Sequence, residues 1–287
     1  MTPGKLCLSR RSLGIAAALA GTVSLAIGAH AALNMRALDA AKSVASEQAM
    51  ESARKVSRLA LIIGNGHYPD AGEPLAQPIN DAHALTGALR GDGFDVDVVE
   101  DASKDDMVRA IDRLKSKIRP DSVVMLFFGG YGVQVGRESY MIPVDATIWK
   151  ESDVRREGVS VESVLGVMKA QGARAKLAVI DASRRNPYER RFRAFSHGLA
   201  PINAPDNALI LSSATPGKVA DDSDGANSVL VGELLNHLNA KPVGAEAAFN
   251  KTRVAISRAS DGEQVPSVSS SLLEDVRFGT AAENAGS

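Results

Sequence analysis

Short apolar runs alternate along most of the chain with segments whose apolar residues recur at helical spacing. The runs predict strands at residues 59–63, 94–99, 123–128, 177–180 and 208–211. The helical spacing predicts helices over residues 80–89, 104–118, 161–168, 228–238 and 245–256. Asn80 or Asp81 is the expected cap of the first helix. The alternation predicts a three-layer α/β sandwich, in which a mainly parallel sheet carries helices on both faces.

The loops that follow three of the predicted strands are the expected position of a site. Parallel sheets bind ligands at the carboxyl ends of their strands, where the connecting loops gather. The three loops cover residues 64–81, 129–136 and 181–187.

The first 33 residues have the pattern of a targeting segment. Lys5, Arg10 and Arg11 precede an uncharged stretch over residues 13–33, and Ala29-His30-Ala31 has the form of a signal-peptidase site. Residues 1–33 therefore predict a signal peptide of the Sec or twin-arginine kind, or an uncleaved membrane anchor through residues 12–33. Both alternatives predict an exported protein, periplasmic or anchored to the inner membrane of a bacterium.

The segments on either side of the predicted domain have simpler compositions. Residues 34–57 are rich in Ala, Glu and Lys, which predicts a helical or flexible stalk. Residues 279–287 are small and polar, which predicts a disordered tail.

Charge and cysteine content exclude several classes of function. The formal net charge of -1 gives no reason to expect a nucleic-acid partner. Cys7 is the one cysteine of the sequence, so a disulfide within the chain and a C-x-x-C redox or zinc site are excluded. The five histidines lack metal-ligand spacing, so the sequence predicts no cofactor.

A series of short motifs over residues 58–278 resembles the caspase-like or bacterial metacaspase family (peptidase C14). The resemblance implies the caspase-like version of the three-layer sandwich, with a continuous chain. Its motifs occur in the family's order and are Ala60-Leu61-Ile62-Ile63-Gly64-Asn65, Asn80-Asp81-Ala82, Phe127-Phe128-Gly129-Gly130-Tyr131-Gly132, Tyr140-Met141-Ile142-Pro143-Val144-Asp145 and Ile180-Asp181-Ala182-Ser183-Arg184.

Both catalytic positions of the family are substituted in this sequence. The family's histidine lies in a G-H-G turn and its cysteine in D-A-C-R, and here these positions hold Tyr131 and Ser183. They are 52 residues apart, in agreement with the spacing of about 50 in caspases. A cysteine protease needs a thiolate and an imidazole, whereas a phenol with a reference pKa of about 10 is a poor base at neutral pH. We therefore expect a pseudoprotease that acts as a binding or regulatory module.

The resemblance also implies a pocket for basic side chains. Family members that cut after Arg or Lys use acidic pocket residues, which fall on Asp81 and Asp181. The alternative is that Asp81 caps a helix and Asp181 accepts hydrogen bonds from loop amides. Some members of the family are calcium-dependent, but the sequence assigns no ligands to calcium. The expected partner is a protein or peptide that contains Arg or Lys.

Two other functions stay open. Ser183 could be the nucleophile of an active peptidase, with Tyr131 activated by Arg184 or Arg185, or with His67 as the base. The chain could also be a structural protein that self-associates, and caspases often form homodimers through an edge strand, which would lie at Ala208 to Leu211.

Overall fold

The computed structural model describes residues 57–69, 74–188, 191, 198–220, 225–239 and 242–279. The predictions for residues 1–33, 34–56 and 280–287 lie outside these ranges. Among the helices that the structure describes, none is both long enough and apolar enough to cross a bilayer.

Strands and helices alternate through the described chain. The strands are β1 (Arg58–Gly64), β2 (Asp95–Glu100), β3 (Val123–Gly129), β4 (Gly132–Val135), β5 (Glu138–Met141), β6 (Val159–Ser160), β7 (Ala175–Asp181), β8 (Ala208–Ser212), β9 (Val243–Gly244), β10 (Ser267–Ser270) and β11 (Arg277–Phe278). The helices are α1 (Pro78–Gly91), α2 (Lys104–Lys117), α3 (Glu151–Glu157), α4 (Val161–Ala170), α5 (Val229–Leu238) and α6 (Ala245–Ala259).

A six-stranded sheet forms the centre of the fold. Its order is β10-β8-β7-β3-β1-β2, and every pair is parallel except that of β10 with β8. Gly64, Gly129 and Asp181 are neighbours across β1, β3 and β7. The loops that follow these three strands therefore start side by side at one edge of the sheet.

The sheet has a hydrophobic core on each face, because alternate residues of a strand point to opposite sides. Ile62, Phe127 and Val179 pack on one face with apolar residues of α1, α5 and α6. Phe128 and Ile180, one residue further along their strands, pack on the other face with residues of α2 and α4. This arrangement confirms the predicted three-layer sandwich with a mainly parallel sheet.

The start of α1 differs from the prediction. The helix begins at Pro78, with Gln77 at the cap position, so neither Asn80 nor Asp81 is its cap. Proline is favourable in the first helical turn, because its fixed φ suits the helix and its missing N–H would have no partner there. The side chain of Asp81 is therefore available for a contact outside its own helix.

A small antiparallel sheet, which the pattern of apolar residues does not predict, follows β3. Its order is β4-β5-β6, and its strands have only two to four residues. Val133, Val135 and Tyr140 from this sheet form a third apolar cluster with Tyr68 and Tyr188. The cluster lies beside the loops at the carboxyl edge of the large sheet.

The prediction that Ala208 to Leu211 form an edge strand of the sheet, open to dimerisation, is wrong. These residues belong to β8, which is hydrogen-bonded on one side to β7 and on the other to β10. The antiparallel strand β10, with the sequence Ser-Val-Ser-Ser, covers β8 and takes the end position in the sheet. Its polar composition gives a weak strand signal, which is why the sequence pattern does not predict it.

Asn65 connects three segments at the carboxyl end of β1. Its Oδ1 accepts a hydrogen bond from the Ala102 amide at 2.8 Å, and its Nδ2 donates to the carbonyl oxygens of Ala102 and Ile142 at 3.4 and 3.2 Å. The side chain is fully buried, so none of these groups can bond to bulk water instead.

We predict that Asn65→Ala lowers the free energy of unfolding by about 2–3 kcal/mol, because it leaves a buried amide and two carbonyls without their partner. Urea denaturation of the full chain measures the change. The exposed Asn239→Ala is the control and should stay within about 0.5 kcal/mol of the wild type. A loss below about 1 kcal/mol in Asn65→Ala would contradict the role given to this side chain.

Candidate functional site

Two main-chain hydrogen bonds join the loops that carry Tyr131 and Ser183. The Gly130 amide donates to the Asp181 carbonyl at 3.2 Å, and the Gly132 amide donates to the Ala182 carbonyl at 3.1 Å. The structure thus brings the two positions that the family uses for catalysis onto adjacent, directly bonded loops.

The glycines that flank Tyr131 are required by close packing. A Cβ atom on Gly130 would lie 2.5 Å from the Tyr68 hydroxyl, and one on Gly132 would lie 2.8 Å from the Ala182 carbonyl oxygen. Neither position has room for a side chain. The glycines therefore allow the loop after β3 to approach both its neighbours.

Tyr131 packs against Tyr68 of the loop after β1. Their ring centroids are 4.9 Å apart in an edge-to-face arrangement, and the Tyr131 amide donates to the Tyr68 hydroxyl at 3.1 Å. The Tyr68 hydroxyl in turn donates to the Ile142 carbonyl at 2.9 Å. Burial raises the pKa of Tyr68 far above its ordinary value, so this hydroxyl stays neutral and keeps its proton for that bond.

Ser183 is buried and held by its backbone. Its carbonyl accepts from the Ala220 amide at 2.7 Å, and its side chain is only 1% exposed. Its hydroxyl has no hydrogen-bond partner among the described residues. A serine nucleophile needs a base that takes this proton, and no described side chain is bonded to do so.

His67 does not contact Ser183. Its Nδ1 is 2.5 Å from Asp101 Oδ2, and its side chain is 68% exposed. The structure therefore places the candidate base in a solvent-exposed pair with Asp101, whereas the hydroxyl it would serve is buried.

The main-chain amides of Ser183 and Gly132 are already hydrogen-bonded within the protein. Acyl transfer needs N–H donors for the developing oxyanion, and the nucleophile's own amide is a common choice. Here the Ser183 amide donates to Ser213 Oγ at 3.3 Å, and the Gly132 amide donates to Ala182. Neither amide is available to a substrate carbonyl in this conformation.

Asp81 contacts the start of a different helix. Its Oδ1 accepts from Asn227 Nδ2 at 2.9 Å and from the Ser228 amide at 3.0 Å, immediately before α5. Its Oδ2 is buried and has no partner within the described chain. Burial, and secondarily the nearby Asp181, raise the pKa of Asp81 to about 6 despite these hydrogen bonds.

Asp181 lies at the end of β7 beside Arg184. Its Oδ1 is 3.8 Å from the Arg184 guanidinium, which also donates to the carbonyls of Gly130 and Asp181 at 3.0 and 2.5 Å. The second carboxylate oxygen, Oδ2, is buried without a partner among the described residues. Asp81 and Asp181 therefore each use one oxygen within the protein and keep one unbonded.

Several buried side-chain atoms at this edge of the sheet have no hydrogen-bond partner in the described chain. Of the seven such atoms found within the described residues, four are Asp81 Oδ2, Asp181 Oδ2, Ser183 Oγ and Asn186 Nδ2. Folded proteins pair nearly all their buried polar groups, and exceptions mark functional sites or sites for water and ions. The sequence motif that resembles the family continues through Arg185 and Asn186, but the sequence alone assigns no role to Asn186.

The described residues do not fit a calcium site. Calcium takes six to eight oxygen ligands, commonly including several carboxylates. No group of three or more acidic, histidine or cysteine side chains converges within the described ranges. We therefore derive no chemistry through calcium.

Comparison with known protein families agrees with this geometry. An α/β sandwich with joined loops after its third and fourth parallel strands is the caspase-like class of fold. The family model described as Caspase domain, Peptidase_C14, matches residues 57–277, so the chain belongs to the caspase-domain family.

Two curated relatives cover part of the chain. The human mucosa-associated lymphoid tissue lymphoma translocation protein 1 is 28% identical over 145 residues, which are 50% of this chain and 17% of that protein. Its mouse homologue is 28% identical over 134 residues, 46% of this chain and 16% of that protein. The matched segments thus span about a sixth of the length of these relatives.

We predict that Asp81 titrates near pH 6 in the folded chain, against a value near 3.8 when unfolded. Because the folded-state pKa is raised, its contribution to stability is present below the unfolded pKa and is lost as the pH rises through 6. Relative to Asp81→Asn, the wild type should therefore lose on the order of 2 kcal/mol between pH 4 and pH 7.

Urea denaturation across this pH range measures the difference. The exposed Asp105→Asn variant is the control and should follow the wild type within about 0.5 kcal/mol. A constant difference between the wild type and Asp81→Asn from pH 4 to 7 would show that the carboxyl is not buried as described.

Proposed function

We propose that this caspase-domain protein is a pseudoprotease, in which the ancestral catalytic site binds a basic side chain of a peptide or partner protein without cutting it. The observation that carries the proposal is the buried Ser183 hydroxyl, which has no hydrogen-bonded base among the described residues.

The chemistry of the two substituted positions supports the absence of catalysis. Loss of the members of a catalytic dyad typically costs several orders of magnitude in rate. Ser183 Oγ is not hydrogen-bonded to Tyr131, and the amides of Ser183 and Gly132 are bonded within the protein. Nucleophile activation and oxyanion stabilisation are therefore both missing in this conformation.

The retained acidic residues support a binding role. Asp81 and Asp181 are buried side chains that each keep one carboxylate oxygen without a partner in the described chain. A guanidinium or ammonium group would satisfy both oxygens through charge-assisted hydrogen bonds. Because the atoms are buried, a ligand reaches them only when part of the surrounding structure moves aside.

The proposed place of action follows from the first residues of the sequence. A signal peptide or anchor in residues 1–33 would put the domain in the periplasm or on the outer face of the inner membrane. The partner would then be an exported protein or peptide that presents an Arg or Lys side chain.

We predict that the full chain does not hydrolyse fluorogenic peptides that end in Arg or Lys, and that Ser183→Ala leaves this baseline unchanged. Neither Tyr131 nor His67 is hydrogen-bonded to the Ser183 hydroxyl. Continuous fluorescence measures release of the dye. Hydrolysis by the wild type that is lost in Ser183→Ala would overturn the proposal.

The double variant Tyr131→His/Ser183→Cys is the matched comparison for this assay, because it restores an imidazole and a thiol. If this variant hydrolyses the peptides, the two substitutions alone account for the inactivity of the wild type. If the double variant is also inactive, the internally bonded amides of Gly132 and Ser183 contribute to that inactivity.

We predict that an Arg-containing peptide binds the full chain and that Asp181→Asn weakens this binding at least about tenfold, because a charge-assisted hydrogen bond is lost. Isothermal titration calorimetry measures the affinity. Replacing Arg by citrulline, which keeps the shape and removes the charge, should have a similar effect.

The exposed Asp105→Asn is the control for a general loss of negative charge and should bind like the wild type. Equal affinity for the arginine and citrulline peptides would show that the two carboxylates do not form the pocket.

A further inference from the structure

The four unpartnered atoms of the site divide into two kinds. Asp81 Oδ2 and Asp181 Oδ2 are acceptors on negatively charged groups, whereas Ser183 Oγ and Asn186 Nδ2 can donate. Asp181, Ser183 and Asn186 lie within six residues of one another on the same loop. A ligand that satisfied all four atoms would carry a cation together with a hydrogen-bond acceptor.

The orientation of the Asn186 side chain is fixed by the protein. Its Oδ1 accepts from the Tyr188 amide at 2.9 Å, so the amide group is turned with both Nδ2 hydrogens away from that bond. Asn186 is 5% exposed and Nδ2 has no partner among the described residues. A buried amide with two unsatisfied donors destabilises the folded state unless a hydrogen-bond acceptor lies beside it.

Ser183 Oγ is the second donor of this loop. The hydroxyl can rotate to donate to any acceptor within reach, and its own backbone is held by Ser213 and Ala220. The buried Arg184 lies between Ser183 and Asn186 in sequence and adds a positive charge to the same loop. The loop therefore offers two donors, Ser183 and Asn186, two and five residues after Asp181 in the sequence.

We propose that the site prefers a basic residue whose α-carboxylate is free, as at the C-terminus of a peptide that ends in Arg or as in free arginine. The side chain binds Asp81 and Asp181, and the carboxylate accepts hydrogen bonds from Ser183 and Asn186. This inference rests on the proposed function and narrows its ligand from any exposed basic residue to a terminal one. The free carboxylate is preferred because hydrogen bonds to an ionised acceptor are stronger than hydrogen bonds to a neutral one.

Calorimetry on the full chain tests the proposal with two matched pairs of ligands. The first pair is an N-acetylated peptide that ends in Arg, as the free acid and as the C-terminal amide. The second pair is free arginine and agmatine, which lacks the carboxylate. We expect the free acid to bind at least about tenfold more tightly than the amide. The pair that shows the larger preference identifies whether peptide ends or the free amino acid are the natural source.

Asn186→Asp is the diagnostic variant, because its carboxylate still accepts from the Tyr188 amide but repels the ligand's carboxylate. It should abolish or reverse the preference for the free acid while changing the affinity for the amide less than about threefold. Ser183→Ala removes only the hydroxyl and should reduce the preference without reversing it. Circular dichroism confirms that each variant is folded.

The outcomes separate this inference from the proposed function. If the C-terminal amide binds in an Asp181-dependent way and the free acid binds no more tightly, the pocket for the basic side chain exists. The proposed binding of the ligand's carboxylate by Ser183 and Asn186 would then be wrong. Retention of the full preference in Asn186→Asp would also overturn the role of Asn186. If none of the four ligands binds, both this inference and the proposed function are wrong.

Discussion

Two main-chain hydrogen bonds, Gly130 to Asp181 and Gly132 to Ala182, hold the loops after β3 and β7 against each other. They continue the pairing of two parallel strands that end in register, with Gly129 opposite Asp181. Everything at the site depends on this junction. It requires glycine at position 132, where a Cβ atom would meet the Ala182 carbonyl oxygen. It also brings the Tyr131 and Ser183 loops together and leaves the amide of Gly132 engaged within the protein. The same contact that builds the site therefore also removes a donor that hydrolysis would need.

Under the proposed function, the site would keep the energetic cost of a binding pocket without catalysing hydrolysis. Four of the seven buried side-chain atoms that have no partner within the described chain belong to Asp81, Asp181, Ser183 and Asn186, and an unsatisfied buried polar group typically costs about 1–3 kcal/mol. A protein that used this region only for packing would gain stability by replacing them with apolar groups. Asp81 carries the clearest sign of this cost, because its pKa is raised to about 6 although two donors contact one of its oxygens. A positively charged ligand beside Asp81 would stabilise its ionised carboxylate and offset this cost.

Local patterns predict much of this fold and less of the site. The continuous apolar strands β1, β3, β7 and β8 and the amphipathic helices follow from the spacing of apolar residues, and the motifs place Tyr131 and Ser183 on neighbouring loops. The short strands of the β4-β5-β6 sheet and the polar edge strand β10 have no comparable signal, since their positions depend on tertiary packing. The contact of Asp81 with Ser228 spans 147 residues, so no local pattern contains it. The unpartnered Nδ2 of Asn186 likewise becomes visible only when all its neighbours are placed.

The central claim is that Ser183 has no activated hydroxyl, and covalent labelling tests it most directly. The full chain would be incubated with a fluorophosphonate, which reacts with activated serine nucleophiles, and the modified residue would be sought by peptide mass spectrometry. The account predicts that Ser183 stays unmodified at neutral pH, as in a sample denatured before labelling. A stoichiometric adduct on Ser183 in the folded protein, absent after denaturation, would contradict the account and identify an active serine hydrolase.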